Sequence, residues 1–191
     1  MKNRDRYFVI STSLIGFITG LTSFLTTILP MYNISGVVKG VVSLNWYYIV
    51  AFGKTASFSI LDTISFLTII VNIANFFVIS SSITSITFTI RMRENPFIYE
   101  LLFGSSLVHI MYSGLLLGLF RVLSREVVAL NTVYREITNA GILFAGQSRV
   151  SETIFSKIFF TVIPLPLILG FTYLVFSSIL FMKYLRQKSY T

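Results

Sequence analysis

The chain contains no cysteine, and this absence excludes disulfide bonds, thiol nucleophiles and thiolate metal sites. Histidine occurs once, which disfavours a metal site built from imidazoles. Charged residues make up only 12% of the sequence, whereas soluble proteins average about 25%. The apolar segments contain no nucleophile elbow, phosphate-binding loop or carboxylate pair. We therefore expect a protein that is not an enzyme and carries no cofactor.

Most of the chain consists of four long segments that lack Asp, Glu, Lys and Arg. A helix that crosses the hydrocarbon core of a bilayer needs about 20 apolar residues, and each segment is at least that long. The segments cover residues 7–31, 63–90, 101–120 and 158–182. The sequence thus predicts an all-α integral membrane protein, with residues 1–191 forming one transmembrane four-helix bundle in contact with membrane lipids.

The first segment follows a charged N-terminus, Met1 to Arg6, as the apolar core of a signal peptide does. It is longer than a cleavable apolar core of about 7–15 residues, and no small-residue cleavage site follows it. We interpret it as a retained signal anchor.

The distribution of cations predicts the orientation in the membrane. Four spans place both termini and the turn 91–100 on one side, where the cations lie close to the helix ends: Lys2, Arg4, Arg6, Arg91, Arg93, Lys183, Arg186 and Lys188. Such clustering is typical of the cytoplasmic side. Both termini are therefore predicted to be cytoplasmic, with outer loops at 32–62 and 121–157. Because the basic residues adjoin apolar segments, the net charge of +8 indicates membrane anchoring and not nucleic-acid binding.

The first outer loop is rich in residues that favour strands. Three short strand candidates are separated by turn residues: Val37 to Val42, Trp46 to Val50, and Phe58 to Asp62. A small antiparallel sheet is the first interpretation, and a re-entrant or interfacial segment from Val41 to Phe52 is the alternative. In both, Trp46, Tyr47 and Tyr48 lie at the outer face and are candidates for contact with a partner.

The second outer loop begins with a helical pattern. No Gly or Pro occurs from Leu119 to Ala140, and Val127, Leu130, Tyr134 and Ile137 form an apolar stripe at helical spacing. The third helix is therefore predicted to extend beyond the membrane. Ser151 is the predicted cap of a returning helix, which would complete an antiparallel helical pair. An amphipathic helix lying on the lipid surface is the alternative.

Two spans carry glycine pairs at a spacing that allows helices to approach closely in lipid. Gly16 and Gly20 lie in the first span, and Gly114 and Gly118 lie in the third. Packing within the bundle is the favoured interpretation, and association with a partner or a second copy is the alternative.

The second and third spans hold the polar residues that could form an intramembrane site. Asn72 and Asn75 belong to a stripe of Ser, Thr and Asn in the second span, and His109 lies near the middle of the third. An ionisable residue at this depth is a functional-site hypothesis. The alternative is that these side chains hydrogen-bond neighbouring helices. In the fourth span, Pro164 and Pro166 are predicted to kink the helix.

The layout as a whole resembles the claudin-like four-helix membrane proteins. The likeness consists of four spans, both ends inside, a strand-rich first outer loop and an elongated third helix. Trp46 is the one residue that corresponds to the signature of that loop in claudins, which also includes two cysteines. The resemblance implies the architecture and no particular activity.

Two functions follow from these patterns. The first is a non-catalytic scaffold or accessory subunit that recognises other membrane protein chains, or further copies of itself, through its outer loops. The second is a channel or transporter component that conducts ions or protons along the polar face of the second span and His109.

Overall fold

The computed structural model describes residues 3–91, 95–131, 133–138, 141–161 and 164–188. Most of these residues are helical, and four helical segments are long and apolar enough to cross a membrane, as predicted. The helices are α1 (Asn3–Ile28), α2 (Ser59–Ile90), α3 (Phe97–Ala129), the short α4 (Ile154–Ser156) and α5 (Leu165–Lys188), with a π-helical turn at Lys157–Thr161.

The fourth apolar segment is interrupted where the prolines predicted a kink. The π-helical turn ends at Thr161, and α5 begins at Leu165, between Pro164 and Pro166. Pro166 is thus the second residue of α5, a position where its missing N–H has no intrahelical acceptor to satisfy.

The chain divides into two compact units. The first unit consists of Met1–Leu25, Val71–Leu115 and Leu165–Thr191. One cluster of its buried residues consists of Val9, Val78, Ile98, Leu102, Tyr173 and Leu180. Lys183 of α5 forms an ion pair with Asp5 of α1, so the two chain ends of this unit are joined by charge as well as by packing.

The second unit, Thr26–Ile70 and Leu116–Pro164, contains a six-stranded antiparallel sheet. Its strands are β1 (Tyr32–Gly36), β2 (Val38–Val42), β3 (Tyr47–Ala51), β4 (Lys54–Thr55), β5 (Val133–Thr138) and β6 (Gly141–Glu152). Their order is β4-β3-β2-β1-β6-β5. Because β1 pairs with β6, the two connections that were predicted to fold separately form one sheet.

The first loop is a sheet, not a re-entrant segment. The first two strand candidates correspond to β2 and β3. The third candidate, Phe58 to Asp62, is wrong, because α2 already begins at Ser59 and places Asp62 in its first turn. The alternation that suggested a strand there is too short to be distinguished from the start of an apolar helix.

The helical pair predicted for the second loop is also wrong. Helix α3 does extend past Phe120 to Ala129, as expected, but Tyr134 and Ile137 lie in β5. The run Val133–Thr138 contains three β-branched residues and a tyrosine, and their strand preference overrides the helical spacing.

The predicted cap at Ser151 lies in β6, and the N-cap of α4 is Thr153. The Thr153 hydroxyl accepts a hydrogen bond from the Ser156 backbone N–H at 3.3 Å and donates one to the Pro30 carbonyl at 2.6 Å.

One face of the sheet is buried and the other is exposed. Side chains alternate between faces along a strand, and Tyr32, Ile34, Val38, Val42 and Ile49 are all less than 5% exposed. Tyr32 stacks on Phe120 of α3, with ring centroids 6.2 Å apart, and Phe120 stacks on Phe160 at 4.1 Å. These apolar contacts hold the sheet against the helical part of the second unit.

Backbone and indole groups of the first loop satisfy the carbonyls at the end of α1. The Asn45 N–H donates to the Thr27 carbonyl and the Trp46 Nε1–H to the Ile28 carbonyl, both at 2.9 Å. The last carbonyls of a helix lack intrahelical donors, so Trp46 acts as a C-terminal cap.

A strained turn connects β3 and β4. Phe52 and Gly53 have φ values of 52° and 78°, the left-handed region that a two-residue hairpin of this type needs at both positions. Glycine adopts this conformation freely, but a phenylalanine does so at a cost. The Phe52 side chain is nevertheless 46% exposed.

We predict that Phe52→Asn is more stable than Phe52→Ala by about 1 kcal/mol, because asparagine tolerates the left-handed region better than alanine does. Phe52→Ala is the matched control, since it removes the same ring but keeps a side chain that strains the turn. Thermal unfolding in one detergent measures both variants. Equal unfolding temperatures for the two would contradict the prediction.

Candidate functional site

His109 lies in α3, within the first unit, and is 1% exposed. Its Nε2 is 2.9 Å from the Ser113 hydroxyl, 3.5 Å from the Ser23 hydroxyl and 3.4 Å from the Pro166 carbonyl. Its Nδ1 has no hydrogen-bond partner in the part of the chain that the structure describes. A neutral imidazole has one donor and one acceptor. One of them is therefore unpaired in either tautomer.

Gly170 of α5 provides the space for this ring. A Cβ atom at position 170 would lie 2.7 Å from Cδ2 and 3.2 Å from Nε2 of His109, well inside van der Waals contact. Sequence reasoning did not select Gly170, because a single glycine within an apolar segment carries no distinctive pattern. Because Gly170 has no side chain, α5 can pack directly against the His109 ring.

The two asparagines of the predicted intramembrane site are buried in α2. Asn72 is 8% exposed and Asn75 is 1% exposed. The hydrogen-bond partners of His109 are Ser23, Ser113 and Pro166, so the structure does not connect its ring nitrogens to either asparagine. The Asn75 side-chain amide nitrogen has no partner among the described residues. The three predicted residues are therefore all buried, and the ring nitrogens of His109 contact hydroxyl and carbonyl groups.

Many hydroxyls of the helices bond within their own helix. Thr12, Ser13, Thr68, Ser85 and Thr89 each donate to the carbonyl four residues earlier, at 2.7–2.9 Å. This back-bonding satisfies the hydroxyl without a partner helix or water. Three hydroxyls of the polar stripe of α2, those of Thr68, Ser85 and Thr89, are thus satisfied within the helix itself.

Hydroxyl pairs also connect α3 to α5. Ser105 and the Tyr173 phenol are 2.7 Å apart, and Ser177 donates to Ser106 at 2.7 Å. In the described part of the chain, no group of three or more His, Asp or Glu residues is placed to hold a metal ion. The residues around His109 can hold its neutral imidazole in one orientation. The hydroxyl pairs connect neighbouring helices.

The glycine pairs of α1 and α3 lie in different surroundings. A Cβ at Gly16 would be 2.6 Å from both the Ser82 hydroxyl and the Tyr173 ring, and one at Gly20 would be 2.8 Å from Ile79. Gly16 and Gly20 therefore lie where α1 packs closely against its neighbours. By contrast, an added Cβ at Gly114 or Gly118 meets no described atom within 4 Å. For this second pair, packing within the bundle stays a prediction, since no contact among the described residues supports it.

We predict that Gly16→Ala destabilises the protein by about 1–3 kcal/mol, the usual cost of forcing extra volume into a packed contact. Gly114→Ala makes the same chemical change in open space, where alanine is the better helix former, and should be neutral or slightly stabilising. Unfolding in mixed micelles measures both. Equal destabilisation by the two variants would show that the α1 contact is not tightly packed.

A groove of about 400 Å³ lies beside β3 in the second unit. It is lined by Trp46, Tyr47, Tyr48, Ile49, Thr55, Ala56, Asp62 and Ser65. The three aromatic residues predicted for the outer face are thus together, but they differ in role. Trp46 caps α1, and the Tyr47 phenol donates to Asp62 Oδ1 at 2.7 Å and accepts from the Phe58 N–H at 3.0 Å. Tyr48 is 58% exposed and is the member with most surface free for a partner.

Burial raises the pKa of the Tyr47 phenol above its usual value of 10.0, and its hydrogen bond to Asp62 raises the pKa further. Sequence reasoning assigned Asp62 to a strand and missed this contact. The neutral phenol is the form that the folded protein favours, so this contribution to stability is complete below about pH 10. It is lost as the pH rises through the pKa of the folded state, because the phenolate then repels the Asp62 carboxylate.

We predict that Tyr47 titrates above the value of a free tyrosine, about 10. NMR spectra of protein labelled at the tyrosine Cζ carbons give its titration curve, and the signal missing from Tyr47→Phe assigns it. In Asp62→Asn, the carboxylate charge is removed and the titration should move towards the free value. A Tyr47 signal that titrates at or below 10 would contradict the proposed contact.

Comparisons with known proteins give no relative. No family model, no curated protein and no solved structure matches the chain.

Proposed function

We propose that this chain is a multi-pass integral membrane protein with a four-helix transmembrane bundle. The distribution of side chains supports this, because many polar residues of the helices are buried and many large apolar residues are exposed. Buried positions of the helices hold Ser, Thr, Asn and His, whereas the most exposed apolar residues of the helices include Met111 at 74%, Phe66 at 65% and Ile73 at 64%. Large exposed apolar faces with polar interiors suit hydrocarbon and not water.

The proposal places both termini in the cytoplasm and the sheet outside. Arg6, Arg91, Lys183, Arg186 and Lys188 lie near the helix ends of the first unit, as the positive-inside rule requires. Lys2 and Arg93, which belong to the same prediction, lie outside the described residues. In this proposal, the resemblance to claudin-like proteins concerns the arrangement of spans and loops and implies no activity.

The protein acts, in this proposal, as a non-catalytic scaffold or accessory subunit. Its outer sheet recognises other membrane protein chains or a second copy of itself. The observation that carries this is the pairing of β1 with β6, which joins the two outer connections into one six-stranded sheet with an exposed face. An exposed sheet face to which both outer connections contribute strands suits recognition of another chain.

Packing within the bundle weighs against conduction along α2. Where Gly16 and Gly20 contact Ser82, Tyr173 and Ile79, there is no space for even a methyl group, and hence none for water between these atoms. The back-bonded hydroxyls of α2 likewise need no water.

Photo-crosslinking in native membranes tests the recognition proposal. A photoreactive amino acid in place of Tyr48 should form a discrete covalent product with another chain or with a second copy. The same amino acid in place of Phe76, which is 52% exposed on α2, is the control and should give lipid adducts. A Tyr48 variant that gives no protein product, in a protein that also runs as a lone monomer in mild detergent, would contradict the proposal.

One observation favours a second function, an ion or proton pathway. His109 is an ionisable group whose Nδ1 is buried and unpaired among the described residues. If it conducts protons, reconstituted vesicles should show flux that His109→Leu abolishes and Gly114→Ala preserves. Absent flux, or flux that survives His109→Leu, would remove this alternative.

A further inference from the structure

The exposed side of the sheet carries polar, cationic and apolar residues, but no carboxylates on β1 to β4 and β6. Strand register places one set of residues on this outer sheet face: Asn33, Ser35, Lys39, Val41, Tyr48, Val50, Thr55, Arg149 and Ser151. One row runs across the strands from Tyr48 through Val41 and Asn33 to Ser151. Except for the half-buried Val41 and Val50, all these residues are exposed.

Both charged residues of the outer sheet face are cations. Lys39 lies on β2 and Arg149 on β6. The carboxylates close to these strands lie elsewhere. Glu152 is opposite Tyr32, at a register position of the buried face, and Asp62 belongs to α2 and bonds to Tyr47. On β1 to β4 and β6, therefore, no carboxylate neutralises the two cations from the same face.

The two cations are spaced to engage one partner segment. They lie on the strands at either side of β1, and neighbouring strands are about 4.8 Å apart, so their backbones are about 10 Å apart. Arg149 is opposite Ser35 of β1. Gly40 of β2 is opposite Ile34, and Lys39 immediately precedes Gly40, which places Lys39 beside Ser35 in this antiparallel pair. Lys39 and Arg149 thus flank Ser35 in one row across the sheet.

An apolar patch adjoins this cationic row. Val41 is opposite Tyr48, and Lys39 is opposite Val50. The two valines and the tyrosine form adjacent apolar surface on β2 and β3, next to the charged positions. A centre with tyrosine and aliphatic side chains beside a charged rim is the usual anatomy of a protein interface. A polysaccharide supplies anions but few apolar groups to cover the valines.

We infer that the outer sheet face is a docking surface for an acidic segment of a partner protein. Carboxylates of that segment pair with Lys39 and Arg149, and its apolar side chains cover Val41, Tyr48 and Val50. This inference rests on the proposed function and specifies the chemistry of the partner.

The test uses the full-length protein in nanodiscs of zwitterionic lipid, with fluorescence anisotropy of short labelled peptides. The peptides alternate Glu with Val, Gln with Val, or Lys with Val, so that they differ only in charge. The Glu peptide should bind in a salt-dependent manner and the other two should bind more weakly. The double variant Lys39→Gln/Arg149→Gln should bind the Glu peptide roughly tenfold more weakly, since two exposed ion pairs are lost.

The matched control is Lys157→Gln/Arg121→Gln, which removes the same charge from exposed positions outside the sheet. It should leave the affinity nearly unchanged. Tyr48→Ser should weaken binding without altering its salt dependence, because it removes apolar contact and not charge. Equal losses in the two double variants would overturn the inference, because they would indicate a response to net charge alone.

Two further results would also overturn it. One is equal affinity for the Glu and Gln peptides. The other is preferential binding of dextran sulfate that depends on Lys39 and Arg149, which would identify a polyanion site. The proposed function is tested separately by the Tyr48 crosslink. If the crosslink to a protein persists in Lys39→Gln/Arg149→Gln, the sheet still recognises a partner, but that partner does not depend on the two cations and the inference of an acidic segment is refuted.

Discussion

In hydrocarbon, where we propose that the four long helices lie, a polar group can find a hydrogen-bond partner only within the protein, and this constraint accounts for many polar contacts of the helices. Hydroxyls such as those of Thr12 and Thr68 turn back onto carbonyls of their own helix. Others pair across helices, as Ser105 does with Tyr173. Small residues follow from the same constraint, because Gly16 and Gly170 bring backbones close enough for Tyr173 and His109 to be enclosed. Among the described residues, His109 Nδ1, the Asn75 amide nitrogen and the Ser82 hydroxyl are buried in these helices without a hydrogen-bond partner, so they are exceptions to this constraint.

The sheet has the side-chain pattern of a protein with one face packed on a core and the other exposed. Its strands alternate buried and exposed side chains, and its apolar face stacks through Tyr32 onto Phe120 and Phe160. Its central pairing joins Asn33 to Ser151, residues that are separated in the chain by α2 and α3. Long-range pairing of this kind forms slowly. We therefore expect the helices to assemble before the sheet closes, so that the docking face exists only on a completed bundle.

Helix existence was predictable from sequence, whereas strand pairing and side-chain contacts were not. Long uncharged segments have no other stable state in lipid, so α1, α2 and α3 were found close to their observed positions. Residues 133–138 were assigned to a helix because an apolar spacing of 3 and 4 was given more weight than β-branching. Tyr32 to Gly36 was missed as a strand because its partner β6 lies in the other loop. The roles of Asp62, Gly170 and Arg149 depend on tertiary contacts that no local pattern contains, and the glycine motif that identified Gly16 could not show that Gly114 faces open space.

The central claim is that the exposed apolar faces of the helices meet lipid while the sheet meets water. The absence of cysteine allows this to be measured with single-cysteine variants and a membrane-impermeant maleimide on intact cells. The account predicts that Ser35→Cys, on the exposed sheet, is labelled from outside, that Phe76→Cys resists labelling, and that Arg186→Cys is labelled only after the membrane is permeabilised. Rapid aqueous labelling of Phe76→Cys in the folded protein would contradict the account.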